Sequence, residues 1–97
     1  MMQTISLDEA TRVLDAARRQ AETMGLAMNI AVVDAGGRLS AFARMDGAWL
    51  GSIDIAQKKA FTARAFDLST RELATLAGPV QPLYGIANTN DGDVVIF

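Results

Sequence analysis

The sequence predicts an α/β protein of the α+β kind, in which an antiparallel sheet is flanked by helices. Three observations lead to this prediction. Two long stretches carry apolar residues every three or four positions, shorter stretches alternate with period two, and glycine-containing turns separate them. The predicted order is α-β-β-α-α-β, in one domain over residues 1–97. A chain of this length buries only about 60 to 65% of its unfolded surface, so its stability is marginal.

The first three elements follow from local signals. Ser6 and Glu9 have the spacing of a capping box, which predicts the start of a helix, and Gly25 suits the left-handed residue that ends one. Residues 26–33 and 38–45 each alternate with period two and are predicted as strands. The Asp-Ala-Gly-Gly segment between them supplies turn chemistry, so the two strands are expected to form a hairpin.

The second half of the chain is predicted to contain two helices and one more strand. Apolar spacing of three and four returns over residues 48–66. A second capping signal, Ser69 with Glu72, begins a shorter helix that ends before Gly78. Residues 80–90 have no regular pattern, and residues 94–97, Val-Val-Ile-Phe, are predicted as a strand.

Composition excludes several classes of function. The chain contains no Cys and no His, which excludes a disulfide framework, a Cys/His zinc site, a thiol nucleophile and a histidine base. The net charge of -2 disfavours nucleic-acid binding, which needs a basic surface. No apolar stretch approaches the length of a membrane span, and the start at Met1 and Met2 lacks a basic leader region, so we expect a cytoplasmic protein without a membrane partner.

The predicted long helix carries a second stripe in which a lysine lies among apolar residues. Its members follow spacings of three and four: Ser52, Ile55, Lys59, Thr62 and Phe66. Lys59 can extend its amine to the rim of the interface between helix and sheet, and periodicity alone favours this interpretation. The alternative is that Lys59 meets an anion.

Two charged residues lie where the second strand leads into the long helix. The guanidinium of Arg44 can hold a carboxylate through two parallel hydrogen bonds, whereas Asp46 can equally be a structural cap. We predict that Lys59 and Arg44 converge on an anion, because two cations in such positions need a counter-charge. No metal site and no complete catalytic set is assigned.

Three segments resemble one known family. They are residues 31–39 (AVVDAGGRL), residues 42–48 (FARMDGA) and residues 55–63, in which Ile55-Ala56 is followed by Lys59-Ala60-Phe61-Thr62-Ala63. Together they resemble the GlcG/HbpS haem-binding family, and the module is similar to the C-terminal domain of PduO-type corrinoid adenosyltransferases. The resemblance implies a profilin-like fold, a tendency to form homo-oligomers, and a haem or corrinoid cofactor. Matched by position, Arg44, Asp46 and Lys59 coincide with polar motif residues of the family.

The sequence departs from the family pattern in two respects. Without His, the commonest axial residue for haem is missing, which leaves Met, Tyr84, Lys or a hydroxyl. Family members also continue past residue 97 through a Pro-Gly-Gly loop, further strands and a helix. We therefore expect an incomplete domain, and a complementary C-terminal fragment as a second chain, produced by cleavage after Phe97 or by a split protein.

Two functions remain open at this point. The first is a small-molecule binding or sensing module, with a tetrapyrrole among the candidate ligands, whose site residues are Arg44, Asp46, Lys59 and Tyr84. The second is an enzyme of small-acid catabolism whose active site is completed by the cleaved partner chain.

Overall fold

The computed structural model describes residues 3–97, and Met1 and Met2, the start of the predicted domain, lie outside the described residues. The element order confirms the α+β class. The elements are α1 (Leu7–Thr23), β1 (Asn29–Val33), β2 (Leu39–Arg44), α2 (Ser52–Phe66) and α3 (Thr70–Leu76), followed by short 3-10 helices at Ile86–Asn88 and Asn90–Gly92. No helix within residues 3–97 is long and apolar enough to cross a lipid bilayer.

Both predicted ends of α1 are confirmed. The Ser6 hydroxyl accepts from the Glu9 N–H at 3.1 Å, and the Glu9 carboxylate accepts from the Ser6 N–H at 2.9 Å. The hydrogen bond from the Ser6 N–H, followed by that of the Ser6 side chain to the same carboxylate, holds the pKa of Glu9 below its ordinary value. At the other end, Gly25 has a φ of +71°. The N–H of Leu26 then donates to the carbonyl of Ala21 at 2.9 Å, so these residues close the helix and β1 begins only at Asn29.

Strands β1 and β2 form the predicted antiparallel hairpin. Asn29 lies opposite Arg44, and Val33 lies opposite Leu39. The register shifts between Val32 and Val33, where Ser40 is the extra residue of a β-bulge. Every residue of β1 is half-buried, because α2 packs on this strand while α1 packs on both strands.

The hairpin turn is attached to α2. The Asp34 carboxylate accepts from backbone N–H groups within the turn, and the Arg64 guanidinium donates to the Ala35 carbonyl at 2.7 Å. Gly37 has a φ of +76°, and a Cβ at this position would lie 3.2 Å from the Phe61 ring. A glycine is therefore needed here both for the backbone conformation and for the close approach of α2.

The prediction of a strand over residues 94–97 is wrong. These residues form no strand and pair with neither β1 nor β2. A strand needs a neighbouring strand to take its backbone hydrogen bonds. Side-chain hydroxyls take them here instead: Thr62 accepts from the Val95 N–H at 3.0 Å, and Thr70 donates to the Phe97 carbonyl. The segment thereby lies along α2 and α3.

The boundaries of α2 also differ from the prediction. The helix begins at Ser52, whereas periodicity places its start near Ala48. The preceding residues form successive tight turns, in which Ala48 donates to the Met45 carbonyl at 3.0 Å and Ser52 donates to the Trp49 carbonyl at 3.2 Å. These turns form a loop over residues 45–51 that carries Trp49 to the edge of the sheet.

We expect the substitution Thr62→Val to lower the free energy of unfolding by about 1–3 kcal/mol, because it leaves the Val95 N–H without its acceptor. Thr62 is fully buried. Urea denaturation of the purified chain measures the change.

Thr11→Val is the matched control. The Thr11 hydroxyl also donates to a carbonyl one turn earlier in its helix, that of Leu7 at 2.8 Å, but the residue is exposed. We expect this change to stay within about 0.5 kcal/mol. If Thr62→Val and Thr11→Val lower the free energy of unfolding equally, the hydrogen bond between Thr62 and Val95 does not have the importance given to it.

Candidate functional site

A cleft of about 500 Å³ lies between the start of β1, the loop that precedes α2, and one face of α2. This volume is within the range of about 300 to 1,000 Å³ that is usual for small-molecule sites. The cleft is lined by Ala27, Met28, Asn29, Gly47, Trp49, Ser52, Ile55, Ala56 and Lys59.

The α2 wall of the cleft comes from the stripe found in the sequence. Ser52, Ile55 and Lys59 are three and four residues apart, so they share one face of the helix. The remaining members of the stripe have other surroundings, since Thr62 is buried against residues 93–95. The lining of the cleft places Lys59 beside Ile55 and Ala56, and the role predicted for Lys59 stays a prediction.

Lys59 is half-buried, and its amine nitrogen lies 4.8 Å from the centre of the Phe97 ring. This is a cation–π distance. Within residues 3–97 the Lys59 amine has no ion pair. A cation that meets an aromatic face and an apolar cleft, without a carboxylate, is suited to bind an anionic group of a ligand.

The adjacent lysine has different surroundings. The Lys58 amine lies 3.0 Å from an Asp54 carboxylate oxygen and 4.0 Å from one of Asp93. The hydrogen bond that Lys58 donates to Asp54, followed by the charge of the same carboxylate, raises the pKa of Lys58 above its ordinary value. Lys58 and Lys59 therefore carry the same charge on the same helix, but only Lys58 is neutralised by carboxylates of the described chain.

Asn29 connects the strand to the loop that forms one rim of the cleft. Its amide nitrogen donates to the Trp49 carbonyl at 2.9 Å. Its amide oxygen is buried and has no hydrogen-bond donor within residues 3–97. The Trp49 side chain is 81% exposed, so the loop presents a large aromatic surface beside the cleft.

The predicted site residues are divided among three places. Lys59 lines the cleft, whereas Arg44 and Asp46 line a separate depression of about 340 Å³ together with Arg18 and Glu22 of α1. The structure thus brings Arg44 and Asp46 together and does not bring either to the depression that holds Lys59. Tyr84 lies in the segment after α3, is 71% exposed, and lines neither depression.

Sequence reasoning did not select Met28 and Asn29. The signal at Asn29 is a polar residue inside an apolar strand pattern, which indicates that its amide has a specific partner. Met28 gives no such signal, because a methionine at an alternating position is typical of an ordinary core residue. Met28 lines the cleft because β1 begins one residue later, at Asn29, so Met28 lies at the open end of the hairpin.

Four groups in the cleft can bind a ligand through a heteroatom: the Met28 thioether, the Lys59 amine, the Ser52 hydroxyl and the Asn29 amide. The other walls are apolar or aromatic. Within residues 3–97 no group of three or more His, Cys, Asp or Glu side chains is placed to hold a metal ion. The arrangement is suited to a largely apolar molecule that carries an anionic group.

Comparison with known proteins identifies the class. The family described as haem degrading protein HbpS-like matches residues 5–97, and the chain therefore belongs to this family. The resemblance stated from the sequence motifs is confirmed.

Relatives extend beyond the length of this chain. It is 35% identical over 94 residues to an uncharacterized 15.0 kDa protein from the dhaT-dhaS intergenic region of Citrobacter freundii, covering 97% of this chain and 66% of that protein. It is 36% identical over 94 residues to the corrinoid adenosyltransferase PduO of the same organism, covering 97% of this chain and 28% of PduO. The chain therefore spans less than two thirds of the length of these relatives.

Two solved structures share the fold. The crystal structure of the Klebsiella pneumoniae protein ORFY matches with a TM-score of 0.91 and 36% identity, over all of this chain and 67% of that one. The crystal structure of a PduOC:heme complex matches with a TM-score of 0.89 and 33% identity, over 96% of this chain and 67% of that one. The predicted C-terminal partner chain and homo-oligomer stay predictions.

We expect Asp54→Asn to lower the pKa of Lys58 toward its ordinary value, because the substitution removes the carboxylate that raises it most. NMR titration of the lysine side chains measures the change. In the native chain the ion pair contributes stability below the unfolded pKa of lysine, and this contribution is lost as the pH rises through the higher folded value. Asp67→Asn, which removes the carboxylate of the ion pair with Arg64, is the control and should leave the pKa of Lys58 unchanged.

Proposed function

We propose that this chain is a binding module for a tetrapyrrole, in which Lys59 pairs with a carboxylate of the ligand. The observation that carries the proposal is a half-buried lysine that faces an apolar cleft and has no ion pair within residues 3–97. A carboxylate brought by a ligand neutralises this amine, and it does so in a partly desolvated place where a charge-assisted hydrogen bond is strong.

The residues of the cleft fit haem as a representative tetrapyrrole. Haem is flat and largely apolar, which suits the apolar wall of the cleft, and one of its two carboxylates can pair with the Lys59 amine. Trp49 and Ile55 supply exposed apolar surface at the rim, and Met28 supplies a thioether. Family membership and the similarity to a PduOC:heme complex support this choice of ligand class. When bound, the group supplies an iron centre that is open to ligation and redox chemistry.

Of the predicted site residues, Lys59 enters this proposal directly. Arg44 and Asp46 lie together in the second depression, beside α1, and their role in ligand binding stays a prediction. Tyr84 also stays a prediction, since it lies away from the cleft lining.

We expect Lys59→Met to weaken the binding of haemin about tenfold or more, because a hydrogen bond between charged groups contributes about 1.5–3 kcal/mol and 1.4 kcal/mol is a factor of ten. Titration with haemin, followed by visible absorption, measures the affinity. Lys58→Met is the matched control, since it removes the same charge from the neighbouring residue and should leave affinity nearly unchanged.

The ligand can be varied in the same experiment. Haemin dimethyl ester lacks free carboxylates, so Lys59→Met should have little effect on its binding. If Lys59→Met and Lys58→Met weaken haemin equally, or if the ester and the free acid respond alike to Lys59→Met, the carboxylate pairing is wrong. If the native chain does not bind haemin, the tetrapyrrole proposal is overturned.

A further inference from the structure

We propose that the thioether of Met28 is the axial ligand to the iron of a haem bound in the Lys59 cleft. This inference rests on the proposed function and deepens it, because it names the residue that takes the position usually occupied by histidine. The proposal rests on one observation. Met28 has an exposed side chain with a thioether sulfur, a soft metal ligand, and it lines the same cleft as Lys59.

The composition of the chain narrows the choice of axial ligand. Haem iron in proteins is commonly held by His, Cys, Met or Tyr. The lysine of the cleft, Lys59, is assigned to the ligand carboxylate in the proposed function. The chain has no His and no Cys, and it has one Tyr. That residue, Tyr84, does not line the cleft.

Among the methionines of residues 3–97, Met28 alone lines the cleft. Met24 follows the end of α1, and its exposed side chain is not part of the cleft wall. Met45 lines the second depression, and its sulfur is already an acceptor for the Met28 N–H at 3.4 Å. The soft donor of the cleft is therefore Met28.

The backbone of Met28 is held firmly although its side chain is exposed. Its N–H donates to the Met45 sulfur, and its carbonyl accepts from the Met45 N–H at 3.0 Å. These two bonds extend the hairpin pairing one residue beyond the Asn29 and Arg44 pair. The Met28 side chain is 45% exposed, and its sulfur has no hydrogen-bond donor within residues 3–97. Fixing the side chain costs rotamer freedom, but the backbone is already in place and no hydrogen bond to the sulfur has to be broken.

The assignment gives Met28 and Lys59 separate functions. Met28 sets the ligation of the iron, and methionine ligation raises the reduction potential of haem. Lys59 binds a carboxylate at the periphery of the ring and acts on affinity. The two substitutions should therefore change different measurements.

We test this by comparing the haemin complexes of the native chain and of Met28→Leu, which keeps the apolar volume and removes the sulfur. We expect loss of the sulfur-to-iron charge-transfer band in the ferric spectrum and a lower reduction potential. Lys59→Gln, which removes the cation without adding a sulfur to the cleft, should retain the band at saturating haemin. Met24→Leu is the matched control and should retain both the band and the potential.

A gain of ligation tests the same position. Met28→His places an imidazole on the cleft wall and should produce a histidine-ligated spectrum with tighter binding. Met28→Leu with an unchanged spectrum and potential would overturn the assignment and leave the proposed function intact, as would equal effects of Met24→Leu. Failure of the native chain to bind haemin would overturn both.

Discussion

The candidate site depends most on the hydrogen bonds of the Thr62 hydroxyl. It is fully buried, donates to the Lys58 carbonyl at 2.8 Å, and accepts from the Val95 N–H at 3.0 Å. One side chain of α2 thereby holds the segment that follows the last 3-10 helix. Because this segment is fixed along α2, the Phe97 ring lies over the Lys59 amine, one turn from Thr62. The position of the cation and the position of its aromatic neighbour thus have a common origin.

Two consecutive lysines show how the fold assigns different roles to the same residue type. Successive residues of a helix point about 100° apart, so Lys58 and Lys59 face different surroundings. Lys58 faces Asp54 and Asp93, and its charge is compensated within the described chain. Lys59 faces the cleft. The carboxylates that neutralise one lysine are not available to the other, and this difference, not the charge itself, makes Lys59 the candidate for a ligand.

The parts of the fold that could be predicted are those set by short-range hydrogen bonds. Four such features involve residues within a few positions of one another: the capping box at Ser6, the N-cap bond at Ser69, the left-handed Gly25 and the turn that begins at Asp34. The prediction was wrong at residues 94–97, where an apolar β-branched run indicated a strand. Strand formation needs a partner backbone, and the hydroxyls of Thr62 and Thr70 take the bonds that a strand would have used. Such hydroxyl partners come from distant positions and leave no local pattern.

The sequence by itself determined the class of fold, the family, and the stripe that sets Lys59 among apolar side chains, because periodicity and motif spacing are properties of neighbouring residues. It also determined that none of these 97 residues is a histidine. Only the tertiary structure decided which charged residues meet. Arg44 and Asp46 lie beside Arg18 and Glu22, away from the Lys59 cleft, while Met28 and Asn29 join that cleft from the start of β1. The physical reason is that helix packing against a hairpin sets which strand end faces which helix, and this packing is a sum of many distant contacts.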